Sequence, residues 1–525
     1  MRKRDESQAM TRPAALLALL ALALGRAPSS LGADGRTLAA AGNARGAAPC
    51  NACHGPQGEG MSAAGSPRLA GLATPYFIEQ LDQFASGERP SAVMQPIAAA
   101  LSSTERRAVA VYFAHLKASV PVLAAESVSA NPDRATDVAL GATLAEQGRW
   151  AVGLPPCSSC HAPRGTGVGS RFPPLIGQPA AYIGNQLHAW QAGHRPPGPL
   201  GLMRSIASKL SDADIAAVAA YYANLAASEP SSKESSPTQR RALAEEALAG
   251  ASGHGPSAPA AQGFLPPPRG SEPSGQLGEM IREGERIFLQ PDRYAAAYVG
   301  NHLRCSSCHL DAGRLARSAP LWAAYVLYPA YRSKNGHVNT FAERLQGCFQ
   351  FSENGTAPPL GSPVLVALET YSYWLARGAP TGVRLEGQGY PTPPKPRAAP
   401  DYTRGAEVYA QHCVLCHGLD GAGQSNAADQ VVFPALWGAG SFNWGAGMES
   451  IDKAAGFIAA NMPLGLGGTL TAQEAWDVAL YIDSHERPQD PRFTGSVAET
   501  RRRFHDSSFS MYGRLVNGRL LGQGR

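Results

Sequence analysis

Three stretches of the chain repeat one apolar spacing behind one polar start. Val109, Tyr112, Phe113 and Leu116 recur at i, i+3, i+4 and i+7 behind Ser102-x-x-Glu105. Ile215, Val218, Ala219 and Tyr222 follow Ser211-x-x-Asp214, and Ala475, Val478, Ala479 and Ile482 follow Thr471-x-x-Glu474. Each stretch predicts an amphipathic helix whose first turn is capped by a hydroxyl and a carboxylate three residues apart. Long Gly- and Pro-rich loops lie between them, so the chain reads as mainly α with short helices.

Cysteine changes this picture. Eight of the nine cysteines fall in four C-x-x-C-H motifs: Cys50/Cys53/His54, Cys157/Cys160/His161, Cys305/Cys308/His309 and Cys413/Cys416/His417. Two thiols on one turn can form thioethers to a haem while the next histidine takes the iron. Four covalently bound haem c groups follow, with His54, His161, His309 and His417 as proximal ligands. Short helices wrapped round a haem that supplies part of the core describe the class I cytochrome c fold, here in four domains grouped as two dihaem modules.

The first two domains also repeat each other. Pro67-Arg68-Leu69-Ala70-Gly71 and Tyr76–Leu81 match Pro174-Leu175-Ile176-Gly177 and Tyr182–Leu187, and each leads through a lone methionine to the capped helix. Over residues 36–227 this resembles the dihaem cytochrome c4 family. Residues 1–33 read as a Sec-type signal peptide, basic then apolar from Ala14 to Leu24, too short to span a membrane, with Met1 or Met10 as the start. They predict export to the periplasm, and no later stretch is apolar enough to cross a membrane. Those residues carry five basic and two acidic side chains of a formal +5, so the remainder is at about +2, which argues against nucleic acid as a partner. The expected domains are 34–127, 128–227, a disordered or extended linker 228–276 rich in Ser, Pro, Ala and Gly, then 277–392, 393–490 and a C-terminal tail 491–525.

Each iron needs a sixth ligand. Met94 and Met203 lie at matched positions ahead of the closing helices, and Met462 does so in the fourth domain, with Met448 as its rival. Thioether ligation raises the reduction potential, which suits an electron carrier. No methionine falls between His309 and residue 390, which leaves His337 and Cys348 for the third iron.

Around Cys348 the chain reads Phe341-Ala342-Glu343-Arg344-Leu345-Gln346-Gly347-Cys348, then Phe349 to Gly355, preceded by Tyr328-Pro329-Ala330-Tyr331-Arg332. With Tyr298-Val299-Gly300-Asn301, Leu310-Asp311-Ala312-Gly313 and Asn461-Met462-Pro463-Leu464-Gly465, residues 277–487 resemble the tetrathionate-forming thiosulfate dehydrogenases of the TsdA family. The resemblance implies that Cys348 is the distal ligand of the active-site haem and the point where thiosulfate attaches. Six cations between Arg304 and Arg344 (Arg304, Arg314, Arg317, Arg332, Lys334 and Arg344) against Asp311 and Glu343 suit a small dianion and a thiolate.

The expected protein is thus a periplasmic fusion of a TsdB-like, c4-type electron acceptor with a TsdA-like half. Two thiosulfates become tetrathionate, and electrons pass to a downstream periplasmic acceptor, a cytochrome or oxidase. Cys348, Arg332, Lys334 and Arg344 are the catalytic candidates, with Ser352 and Asn354 as neutral donors or as loop-structuring residues. The alternatives are an electron-transfer cytochrome without chemistry of its own, tetrathionate reduction at the same site, and a sulfur-oxidation cytochrome acting on carrier-bound sulfur.

Overall fold

The computed structural model describes residues 34–117, 132–225, 263–332 and 335–524. The expected signal segment, most of the expected linker, and Ser333 and Lys334 lie outside the described residues. All three predicted capping boxes form: Ser102 with Glu105, Ser211 with Asp214 and Thr471 with Glu474 open the helices Ser103–His115, Asp212–Asn224 and Ala472–Asp483. The apolar faces behind them point inward. Val109, Phe113, Ile215, Val218, Ala219, Tyr222, Ala475, Val478, Ala479 and Ile482 are all buried.

Four units emerge, and one device builds each of them. The helices Gly35–Ala41, Pro132–Glu146, Gln276–Leu289 and Tyr402–His412 each cross the closing helix of their unit. At each crossing sits a glycine: Gly35, Gly141, Gly284 and Gly405. A Cβ there would come within 2.1 Å of the carbonyl oxygen of Ala108, Ala217, Ala367 or Asp477, and within 3 Å of the Cβ of Tyr112, Tyr221, Tyr371 or Tyr481. Only glycine lets the two backbones approach so closely. The third unit therefore shares the plan of the others, its closing helix being Pro363–Leu375, capped by Ser362. Each unit has its own apolar core.

Two expected boundaries move. Residues 263–275, assigned to the linker, pack on the third unit: Phe264 lies 5.3 Å from Trp322 between ring centroids, and Arg269 pairs with Asp311 at 3.2 Å. Low apolar periodicity hid this, because one aromatic and one arginine fasten the segment. Residues 491–524 are likewise part of the fourth unit. Tyr512 and Leu521 enter its core. The Glu486 carboxylate accepts the backbone N–H groups of Gly522 and Gln523 and the indole N–H of Trp444.

The seams differ in chemistry. Between the first two units a near-symmetric polar network forms, in which Arg89 donates to Gln80, Tyr182 and Gln186 while Arg195 donates to Gln186, Tyr76 and Gln80. Between the second and fourth units an apolar cluster forms, in which Val168 and Phe172 meet Phe433, Leu415 and Val432 with Cys160 and Cys416, flanked by hydrogen bonds from Lys209 to the Gly465 carbonyl and from Asn426 to the Thr166 hydroxyl. The Phe172 and Phe433 rings are 4.9 Å apart, and burying one such side chain contributes about 1.5–3 kcal/mol. Between the third and fourth units, Asn443 donates to the Gln350 carbonyl at 2.9 Å and Asn301 to the carbonyls of Ser352 and Ser441.

Candidate active site

The four C-x-x-C-H motifs lie on short helical turns, which put both thiols and the imidazole on one side. Each histidine is tethered the same way. Nδ1 of His54, His161, His309 and His417 meets the carbonyl oxygen of Pro67, Pro173, Ala319 and Pro434, at 2.8, 2.8, 2.7 and 2.9 Å. That bond fixes the ring and turns Nε2 toward a metal. Burial pushes all four imidazoles below the ordinary histidine range, His309 to about 4, so each is a neutral donor. None of the eight motif thiols is in a disulfide. This donor set fits a thioether-linked haem in every unit.

Met94 and Met203 occupy the first turns of Met94–Ala99 and Leu202–Ala207 and pack half-buried against their cores. Met462 caps the helix Ile451–Asn461 and packs on the fourth core, as does Met448. The neighbouring Asn461 is buried, donating to the carbonyls of Phe457 and Arg317.

In the third unit the two remaining candidates part. His337 lies exposed on the hairpin Ala330–Arg332/His337–Asn339, 2.9 Å from Asn339 and 3.5 Å from Glu343. Cys348 faces inward. It follows the helix Phe341–Gly347, opened by a capping box of Thr340 and Glu343, and begins a π-turn, Cys348–Ser352. Such turns widen a helix by one residue and recur at functional sites. Cys348 lies close enough to Cys305 and Cys308 that a charge on it would raise both thiols. One helical turn back, Arg344 donates from Nη1 to the Cys348 sulfur at 2.9 Å. The sulfur's charge, acting against burial, raises Arg344 above the ordinary guanidinium range, so it stays cationic.

Arg332 reaches the same place from the hairpin, and burial followed by the charge of Arg344 lowers it. Among the described residues neither arginine has a carboxylate partner, although both are charged. Two of the other expected cations go elsewhere: Arg314 is buried against Tyr371 and Trp374 and donates to the Tyr371 hydroxyl at 2.6 Å, and Arg317 is exposed. Lys334 lies outside the described residues. The Ser352 carbonyl is held by Asn301. Asn354 sits at a left-handed φ of 49° and its side-chain oxygen accepts the Asn443 side-chain N–H at 3.1 Å, which ties the π-turn to the fourth unit.

Three neighbours were not legible beforehand. Glu353 is buried beside Cys305, its carboxyl pushed up to about 8 by burial. Tyr390, from the Pro-rich joint, feels the charges of Cys308, Arg344 and Cys348. Arg492, from the tail, lies 5.0 Å over the Phe351 ring in the π-turn. All three arrive through long-range contacts that carry no local pattern. The arrangement offers a nucleophilic sulfur beside two guanidiniums, next to an attachment motif: chemistry for a small, doubly charged sulfur anion.

Known proteins share this sequence and fold. Residues 138–226 match a cytochrome c family model, and residues 400–482 match that of subunit III of cbb3-type cytochrome c oxidase. A thiosulfate dehydrogenase of Thiomonas intermedia is 60% identical over 259 residues, 49% of this chain and 82% of that protein. The chain belongs to the thiosulfate dehydrogenase family. The N-terminal half has its own relative, a thiosulfate dehydrogenase electron acceptor of Stutzerimonas stutzeri, 45% identical over 37% of this chain and 87% of that one. The solved thiosulfate dehydrogenase TsdBA of Marichromatium purpuratum superposes with a TM-score of 0.82 at 45% identity, covering 93% of this chain and 99% of its own. The c-type cytochrome expectation, the mainly helical fold and the family resemblance all hold. Among the described residues no helix is long and apolar enough to cross a membrane.

Proposed function

We propose that this is a periplasmic, four-haem thiosulfate dehydrogenase that joins two thiosulfates into tetrathionate at Cys348. The observation that carries the reading is the 2.9 Å contact between Arg344 and the Cys348 sulfur, with Arg332 beside it. His54, His161, His309 and His417 would be proximal ligands, and Met94, Met203, Cys348 and Met462 the distal ones. The motif cysteines would hold the haems. Attached haem c supplies iron that takes up and gives off single electrons.

The chain's own residues handle the sulfur chemistry. Arg332 and Arg344, with Lys334 two residues beyond Arg332 in sequence, hold the sulfonate oxygens and offset the repulsion between two dianions. The Ser352 hydroxyl adds a neutral donor, while Asn354 steadies the turn through Asn443. The thiolate of Cys348 joins the sulfane sulfur of one thiosulfate, forming an S–S bond as two electrons leave. A second thiosulfate then attacks that sulfane sulfur, the bond to Cys348 breaks, and tetrathionate departs with the thiolate restored. Two thiosulfates thus give one tetrathionate and two electrons, and no proton is needed. Dividing the reaction at a covalent adduct replaces one difficult step by two easier ones.

The test is anaerobic addition of thiosulfate to the oxidised holoprotein. Rapid reduction of the haem spectrum, with one tetrathionate per two electrons, supports the reading. If thiosulfate reduces nothing at any pH while tetrathionate oxidises the reduced protein, the site runs as a reductase; if neither acts, the dehydrogenase reading falls.

A further inference from the structure

The first two units are repeats, yet among the described residues it is the second that packs its attachment motif against the motif of another unit. With His54 placed on His161, Gly60 and Gly167 each donate a backbone N–H to the histidine carbonyl at 2.8 Å. Met61 and Val168 each then form an isolated antiparallel bridge, to Ser66 and Phe172. The two faces share these backbone bonds, the first loop being one residue longer between histidine and tether, and have opposite fates.

In the second unit the face is sealed. Val168 is 3% exposed and packs with Phe172 and Cys160 against the attachment motif of the fourth unit. In the first unit Met61 is 41% exposed, and Cys53 is exposed where Cys160 is half-buried. Ala52, Pro56, Gln57 and residues 62–64 are exposed around them. Between residues 46 and 67, apart from the buried His54, the one acidic or basic side chain is Glu59, whose carboxylate accepts the Gln57 backbone N–H at 2.8 Å. An apolar, almost uncharged surface is cheap to dehydrate and suits a brief encounter between two proteins.

We propose that this face of the first unit docks a separate c-type cytochrome, as the matching face of the second unit holds the fourth, and that electrons leave the molecule there. The inference rests on the thiosulfate reading. Each encounter moves one electron: the first unit is oxidised, the acceptor's ferric iron becomes ferrous, and no proton or bond changes hands. Two encounters follow each tetrathionate formed.

The experiment uses the full-length holoprotein and mitochondrial ferricytochrome c, a protein whose haem edge is ringed by lysines, as the probe. Met61→Lys places a like charge on the face, and Leu419→Lys places one at an exposed site (Leu419 is 80% exposed) beside the fourth motif. Binding is read by calorimetry at low salt, and electron transfer by stopped flow from thiosulfate-reduced protein. The expected result is a loss of about tenfold in both affinity and second-order rate for Met61→Lys, with Leu419→Lys close to wild type. An unchanged Met61→Lys protein, or an equal loss in Leu419→Lys, overturns the proposal. Reduction of the variants' own haems by thiosulfate is followed separately, so failure of the catalytic reading shows there and not in the docking step.

Discussion

Downstream of their motif histidines, the first, second and fourth units each lay a methionine against the core: Met94, Met203 and Met462. The third unit has no methionine between His309 and Tyr390 and brings Cys348 and Arg344 instead. Everything beneath that difference is shared. All four units have the glycine crossing, the Nδ1 tether and a closing helix. On the proposed reading the scaffold makes a haem site four times, while a single turn of chain decides whether the site would carry electrons or perform chemistry.

The severest way to break that comparison is to make the third unit resemble its companions. Cys348→Met removes the nucleophile and supplies a thioether, so thiosulfate turnover should fall by roughly a thousandfold or more. Pyridine haemochrome analysis should still count four haems per chain, because the attachment cysteines are untouched. Retained turnover in Cys348→Met would remove the sulfur from the mechanism. Arg344→Gln tests the electrostatic half. Loss of one charged donor should lower kcat/KM by about a hundredfold, about 2.7 kcal/mol. Arg344→Lys should recover part of the loss by restoring charge without the planar fork.

How much of this could be read from the chain alone follows from the range of each interaction. The C-x-x-C-H motifs and three capping boxes act over three or four residues, so spacing reveals them. Cys348 stood out because it was the one cysteine outside a motif. The glycine crossings did not, because Gly35, Gly141, Gly284 and Gly405 precede their motifs by unequal distances and meet partners far along the chain. The same limit mixed the cations. Arg314 and Arg344 look alike in sequence, yet side-chain direction sends one under Tyr371 and the other to the sulfur. The tail gave no signal because a guanidinium meeting a ring far along the chain, Arg492 on Phe351, helps join it to the site.

That contact sharpens the comparison at smaller scale, since in the third unit it joins the turn bearing the chemistry to the tail of the fourth. Arg492 also pairs with Asp490 at 2.6 Å and covers the Phe504 ring. A cation over an aromatic face is worth about 0.5–2 kcal/mol. Arg492→Ala should therefore lower kcat about fivefold with little change in KM for thiosulfate, since the residue positions the turn and does not touch the anion. An unchanged kcat would show that the turn holds its shape without the tail.

The smallest effect separates stability from chemistry by acid. In the first unit Glu105 is held near 2 chiefly by the Ser102 backbone N–H of its capping box, with further help from the Ser102 hydroxyl, Asn43 and Arg45. In the unfolded chain a glutamate titrates near 4.5. A depressed carboxylate contributes stability that is complete above 4.5 and is lost as pH falls toward 2. Glu105→Gln should thus cost about 1 kcal/mol at pH 7, the usual worth of such a cap, and much less at pH 2, where about half of the wild-type carboxylates are protonated. Because the first unit holds no part of the sulfur site, thiosulfate-driven haem reduction at pH 7 should match wild type. Calorimetry at the two pH values gives the first quantity and stopped flow the second. A fall in turnover from Glu105→Gln would mean that the first unit takes part in the chemistry assigned here to the third alone.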